Sequence, residues 1–161
     1  MRLAYILALM ALAAPAWADD DACSKFKWSV AREKALFAAP QGAGATDALS
    51  IGDKGFRVAL ADGATFKFPI APERPPKPGT HAAALSLTIA KAGVYEVTLS
   101  DEGWIYATQG GAVIKSSAFS GQKGCAGVRK SVRFDLVVGP ATLQLSNIEA
   151  PTADIAVVPT F

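Results

Sequence analysis

SVRFDLVVGPATLQLSN, residues 131–147, is the stretch on which the fold turns. Val132, Phe134 and Leu136 alternate with Arg133 and Asp135, a period of two that puts the apolar set on one face of a strand. Gly139-Pro140 interrupts the run, because proline lacks a backbone donor and glycine enters turns without steric cost. ATLQLSN (141–147) then resumes as a second strand. VYEVTLS (94–100) repeats the pattern, with Tyr95, Val97 and Leu99 opposed to Val94, Glu96 and Thr98. Strands that bury one face only belong to antiparallel sheets packed on a second layer.

Outward from these two stretches the same rhythm continues. FRVAL (56–60), TFKFPI (65–70), AALSLTI (83–89), WIYAT (104–108), AVIKSSAF (112–119) and DIAVVPTF (154–161) are short apolar or alternating segments set apart by turn or proline-rich residues. Strands recurring about every ten residues mark a sandwich or barrel. The predicted fold class is an all-β antiparallel β-sandwich, jelly-roll-like, with an up-and-down barrel as the second choice. KFKWSV (25–30) alternates and reads as a further short strand. AREKALFAA is rich in helix formers and is closed by Pro40, Gly42 and Gly44, which predicts one short helix near 30–39, the only one in the chain. PERPPKPGT (72–80) is too proline-dense for an interior strand and reads as a stiff surface loop between two strands. Gly110-Gly111 reads as a tight hairpin turn.

The chain starts MRLAYILALMALAAPAWA, followed by three aspartates. A basic Arg2, a short apolar run and the small-x-small pattern Ala16-Trp17-Ala18 predict a signal peptide over 1–18 and a single mature domain over 19–161. The expected location is periplasmic or secreted. No later run approaches the roughly 20 apolar residues of a membrane span, so the mature chain is expected to have no transmembrane segment. In an oxidising compartment the only two cysteines, Cys23 and Cys125, are expected to form a disulfide.

Loss of Arg2 with the leader leaves 15 basic against 14 acidic side chains, a net charge of +1. Such a balance gives no electrostatic footprint for nucleic acid. His81 is the single histidine, and an iron facial triad needs two with a carboxylate. A Ser–His–Asp set would have to be built on His81, and no GxSxG frame accompanies it. Oxygen ligands for calcium could come from Asp19 to Asp21, or from Asp101 with Glu102, but without EF-hand spacing. Glu96, Asp101, Glu102 and Asp135 supply carboxylates of the kind glycosidases pair, yet Glu96 and Asp135 read as the solvated faces of their strands. No catalytic residue, metal ligand or cofactor is therefore assigned.

Two groups of residues favour binding. Trp104 and Tyr106 lie two apart on one strand and share a face, which is either core packing or a platform for stacking a sugar. Lys123, Arg129 and Lys130 gather around Cys125, with Lys115 and Arg133 in adjacent strands, and a bridged Cys125 would hold that loop rigid before an anionic group.

AGVYEVTLSDEGWIYATQGG and GCAGVRKSVRFDLVVGPATLQLS, with CSKFKWSVAREKALFAAP and ERPPKPGT, resemble a group of small exported proteobacterial β-sandwich proteins of unknown function. Members are often labelled homogentisate 1,2-dioxygenase by automated transfer. That label implies an iron enzyme with a cupin-type core. This chain departs from such enzymes in its export signal, its length and its single histidine. FDLVVGPATLQLSN also resembles the closing hairpin of bacterial carbohydrate-binding and pre-peptidase C-terminal modules. The expected function is a non-catalytic exported protein that binds a ligand (a glycan or an anionic group) or a cell-envelope partner. The alternative is a dioxygenase-like enzyme, disfavoured by the histidine count; a third reading is a structural partner docking through a sheet edge or the proline loop.

Overall fold

The computed structural model describes residues 20–161. The signal peptide over 1–18 and the mature start at Asp19 lie outside the described residues. In chain order the elements are α1 (Asp20–Ser24), α2 (Ala31–Phe37), β1 (Gln41–Gly44), β2 (Gly55–Ala59), β3 (Ala61–Asp62), β4 (His81–Ile89), β5 (Gly93–Leu99) and β6 (Trp104–Gln109). They continue with β7 (Ala112–Ile114), β8 (Ser116–Gly121), β9 (Lys130–Leu136), β10 (Gly139–Ile148) and β11 (Thr152–Pro159). The chain is mostly β, in two sheets whose strand orders are β1-β2-β11-β5-β9-β8 and β3-β4-β10-β6-β7. Every named neighbouring pair is antiparallel except β1 with β2.

The period-two residues do what their spacing requires. Val58, Val97, Phe134 and Ile155 of the six-stranded sheet join Leu85, Ala107, Leu143 and Leu145 of the five-stranded sheet in one hydrophobic cluster. The chain changes sheets repeatedly, and local patterning does not reveal where. FDLVVGPATLQLSN is not a hairpin: β9 belongs to one sheet and β10 to the other. Val137 and Val138 lie exposed in the crossing, and the Gln109 side chain holds Val137 by its carbonyl at 2.7 Å and its N–H at 3.0 Å. AVIKSSAF likewise divides at Lys115 into β7 and β8, one in each sheet. Gly110 and Gly111 make the expected tight turn between β6 and β7, both at positive φ. His81 opens β4, with Nδ1 3.3 Å from the Ile148 carbonyl oxygen, an ordinary strand-end position.

Four local expectations need correction. TFKFPI is not a strand: Phe66 and Phe68 meet edge to face with centroids 4.9 Å apart in an irregular segment. KFKWSV forms turns, with Lys25 and Phe26 N–H donating to the carbonyls of Ala22 and Cys23. In KFKWSV, side chains laid against a sheet imitate the alternation of a strand within it. A second helix, α1, precedes α2. Strands β1 and β3 were not anticipated; QGAG has no apolar alternation, and β1 is held by its parallel ladder to β2.

Glu96 is the fourth correction. It is 3% exposed rather than solvated, because the N-terminal segment covers the outer face of the six-stranded sheet. Phe26, Val30 and Phe37 form a second apolar cluster there with Cys125, Val128 and Ala156. The Cys23–Cys125 disulfide, spanning 102 residues with Cα atoms 4.6 Å apart, joins this cap to the loop before β9. Beneath it the Trp28 indole N–H and the Thr98 hydroxyl each lie 3.0 Å from Ser131 Oγ. Arg133 donates to Glu96 Oε2 at 2.9 Å, and its guanidinium lies 3.9 Å from the Trp28 ring centroid. Asp135 remains exposed, as its alternation predicts.

Glu33 on α2 is buried in this interface, and its Oε2 has no hydrogen-bond partner. Burial pushes its carboxyl above the ordinary value of 4.5; a backbone hydrogen bond opposes this, Glu96 adds to it, and Arg32 and Arg133 oppose it. The folded state therefore keeps the Glu33 proton to higher pH than the unfolded chain does. Its contribution to stability is complete below about pH 4.5 and falls as pH rises through the raised folded value. Glu33→Gln is expected to stabilise the protein at pH 8 by on the order of 1 kcal/mol, the scale of an unsatisfied buried polar group. It should do little at pH 4. Denaturant titrations at the two pH values check this, and an equal effect at both would refute it.

Candidate ligand-binding site

Strand β6 decides where the aromatic pair points. Ile105 and Ala107 enter the shared core, so Trp104 and Tyr106 occupy the opposite face, across from Ser146 and Gln144 of β10. Both aromatics are half-buried and belong to neither apolar cluster. Gly103 before them has no room for a side chain: a Cβ there would lie 2.6 Å from Ile148 Cγ1. This close approach fixes the start of β6.

The proline-rich loop is strapped across this face by side chains of β10. Gln144, fully buried, accepts from the Ile70 N–H at 3.0 Å and donates to the Ile70 carbonyl at 2.8 Å. Asn147 adopts φ 59°, which asparagine tolerates better than most residues. Its Oδ1 accepts from the Lys77 N–H at 2.7 Å, and its Nδ2 donates to the Pro75 carbonyl at 3.4 Å. The strap sets Arg74 over Trp104, guanidinium to ring centroid 4.2 Å. Lys130, at the start of β9 in the other sheet, brings its ammonium to 4.6 Å from the same ring and donates to the Gly103 carbonyl at 2.8 Å. Among the described residues neither Arg74 nor Lys130 forms an ion pair.

Burial pushes the Lys130 ammonium below the ordinary lysine range; Glu102 opposes the shift, and Arg129 and Arg74 add to it. The Tyr106 hydroxyl is raised, chiefly by burial. It lies near the Arg74 backbone yet completes no hydrogen bond. Beside these groups a cavity of about 390 Å³ opens toward the β7–β8 crossing, within the range of small-molecule sites. Glu73 and Lys115 also line it.

The structure thus brings Trp104, Tyr106 and Lys130 together. Arg129 instead forms an ion pair with Glu102. Lys123 is exposed and does not line this cavity. Arg74 was missed, because nothing local in ERPPKPGT distinguishes an arginine held over an indole from one in solvent. A second cavity, of about 340 Å³, lies on another side of Trp104 and is bordered by Asp101, Glu102, Glu149 and Lys77. Among the described residues no group of three or more His, Cys, Asp or Glu is placed to hold a metal ion. No helix among them is long and apolar enough to cross a membrane. No known protein-family profile matches the chain, and no curated protein does so either.

Proposed function

We propose that this chain is an exported, jelly-roll-like β-sandwich protein that binds a ligand through an anionic group at the Trp104–Tyr106 cleft. The observation that carries this reading is a pair of cations that form no ion pair among the described residues, Arg74 and Lys130, set against one half-buried indole beside a cavity. An anion entering there gains charge-assisted hydrogen bonds that water supplies poorly at a half-buried site. Sugar stacking is the weaker reading, since two cations already contact the Trp104 ring. Export rests on the leader-like N-terminus and is supported by the disulfide. The resemblance to small exported proteobacterial proteins agrees with it. A dioxygenase activity finds no support in the placement of His81, which lines neither cavity beside Trp104.

The test is a thermal-shift comparison of small organic acids with neutral oligosaccharides on the mature protein. Acids should raise the melting temperature, since ligand at a hundredfold excess over Kd adds about 2.7 kcal/mol. Stabilisation by neutral glycans alone would overturn the anionic reading. Trp104→Ala should abolish the ligand shift while costing under about 2 kcal/mol of stability, because a core aromatic costs about 3–5 and Trp104 lies outside the core. A core-sized loss by chemical denaturation would make Trp104 a packing residue.

A further inference from the structure

The cavity beside Trp104 is not a polar dish. Its apolar wall is the protein's own core: Ile105, Val132 and Phe134 belong to the main cluster, and Ile114 packs against it. Ile105, Val132 and Phe134 are themselves buried and form the floor of the cavity. Strands β7 and β8 are consecutive but sit at the edges of different sheets, and the cavity is a slot beside their crossing. Val113 and Phe119, 38% and 60% exposed, give the same cavity an apolar rim. Arg74 and Lys130, which form no ion pair among the described residues, supply its cationic part. Glu73 is the one carboxylate in its lining.

We infer that the cleft receives an amphiphilic organic acid, its single carboxylate held by Arg74 and Lys130 and its hydrocarbon body lying in the slot beside the β7–β8 crossing, against Val113, Ile114 and Phe119. This rests on the cleft being the ligand site and adds the chemical class. A sugar acid would satisfy the cations but leave its hydroxyls unpaired against Val113, Ile114 and Phe119, a cost that apolar walls do not return. A small inorganic anion would leave the slot wet. An alkyl carboxylate meets both demands: two charge-assisted bonds at the head, and about fourfold in affinity for each methylene removed from water.

Isothermal titration of the mature protein with acetate, octanoate, 1-octanol and glucuronate tests the inference. Octanoate should bind at least a hundredfold more tightly than acetate or glucuronate, and at least tenfold more tightly than 1-octanol. Lys130→Met should bring octanoate down toward the alcohol. Ile114→Trp, which fills the slot, should remove octanoate binding; if that variant does not fold, Val113→Glu at the exposed rim should weaken octanoate at least tenfold. Glucuronate or acetate binding as tightly as octanoate would overturn the amphiphile class while leaving the anionic cleft intact. Octanoate binding that survives both Lys130→Met and slot filling would overturn the cleft as well. No detectable octanoate binding would overturn the amphiphile inference, and a thermal shift with other acids would then show the anionic reading standing without it.

Discussion

Replacing Cys23 and Cys125 together by serine is expected to destabilise the protein by on the order of 4 kcal/mol. The bridge joins residues 102 apart, so its loss returns a long closed loop to the unfolded ensemble. The folded state also changes, because Cys125 is part of the apolar cluster that seats Phe26, Val30 and Phe37 on the six-stranded sheet. The cap should loosen before the sheets do. Urea titration with and without reductant measures the loss. Hydrogen exchange at the Trp28 indole, bonded to Ser131 at 3.0 Å, reports the cap alone. A change under about 1 kcal/mol, with Trp28 still protected, would mean that burial rather than the covalent link holds the N-terminal segment.

Arg133→Met is expected to cost about 3–5 kcal/mol, the range for removing one partner of a buried ion pair. The Glu96 side chain is 4% exposed, its Oε2 lies 2.9 Å from both Nε and Nη2 of Arg133, and Glu33 is a second buried acid in the same interface. Methionine fills similar volume against Trp28 but leaves the Glu96 carboxylate without its cation. The double variant Arg133→Met with Glu96→Gln should recover most of the loss, since the charge needing compensation is then gone. A double-mutant cycle by denaturant titration yields the coupling. Additive effects of the two substitutions would show that the pair contributes no more than its separate side chains.

The alternation in VYEVTLS and SVRFDLVV was legible because a strand with one core face must repeat every two residues. Tyr95, Val97, Leu99, Val132, Phe134 and Leu136 all enter the shared core. The same rule misled at KFKWSV, which lies on a sheet and buries alternate side chains without joining a ladder, and at TFKFPI, whose Phe66, Phe68 and Ile70 are half-buried in an irregular segment. It also could not see that Glu96 faces a covered surface, since α2 and the cap arrive from the far N-terminus. Within the candidate site, Trp104, Tyr106 and Lys130 could be proposed from local sequence. Arg74 could not, because its place over Trp104 is set by Asn147 and Gln144 through backbone bonds to a loop about 70 residues away in the chain.

By itself the sequence determined a predominantly β chain with turns in most of the right places and a Cys23–Cys125 bridge. These are consequences of short-range periodicity, turn chemistry and having only two thiols. Tertiary structure alone decided which sheet each strand entered, which strand faces are covered, and which cations meet at Trp104. Those outcomes depend on contacts between residues far apart in the chain, and one alternating pattern satisfies a strand in either sheet equally well.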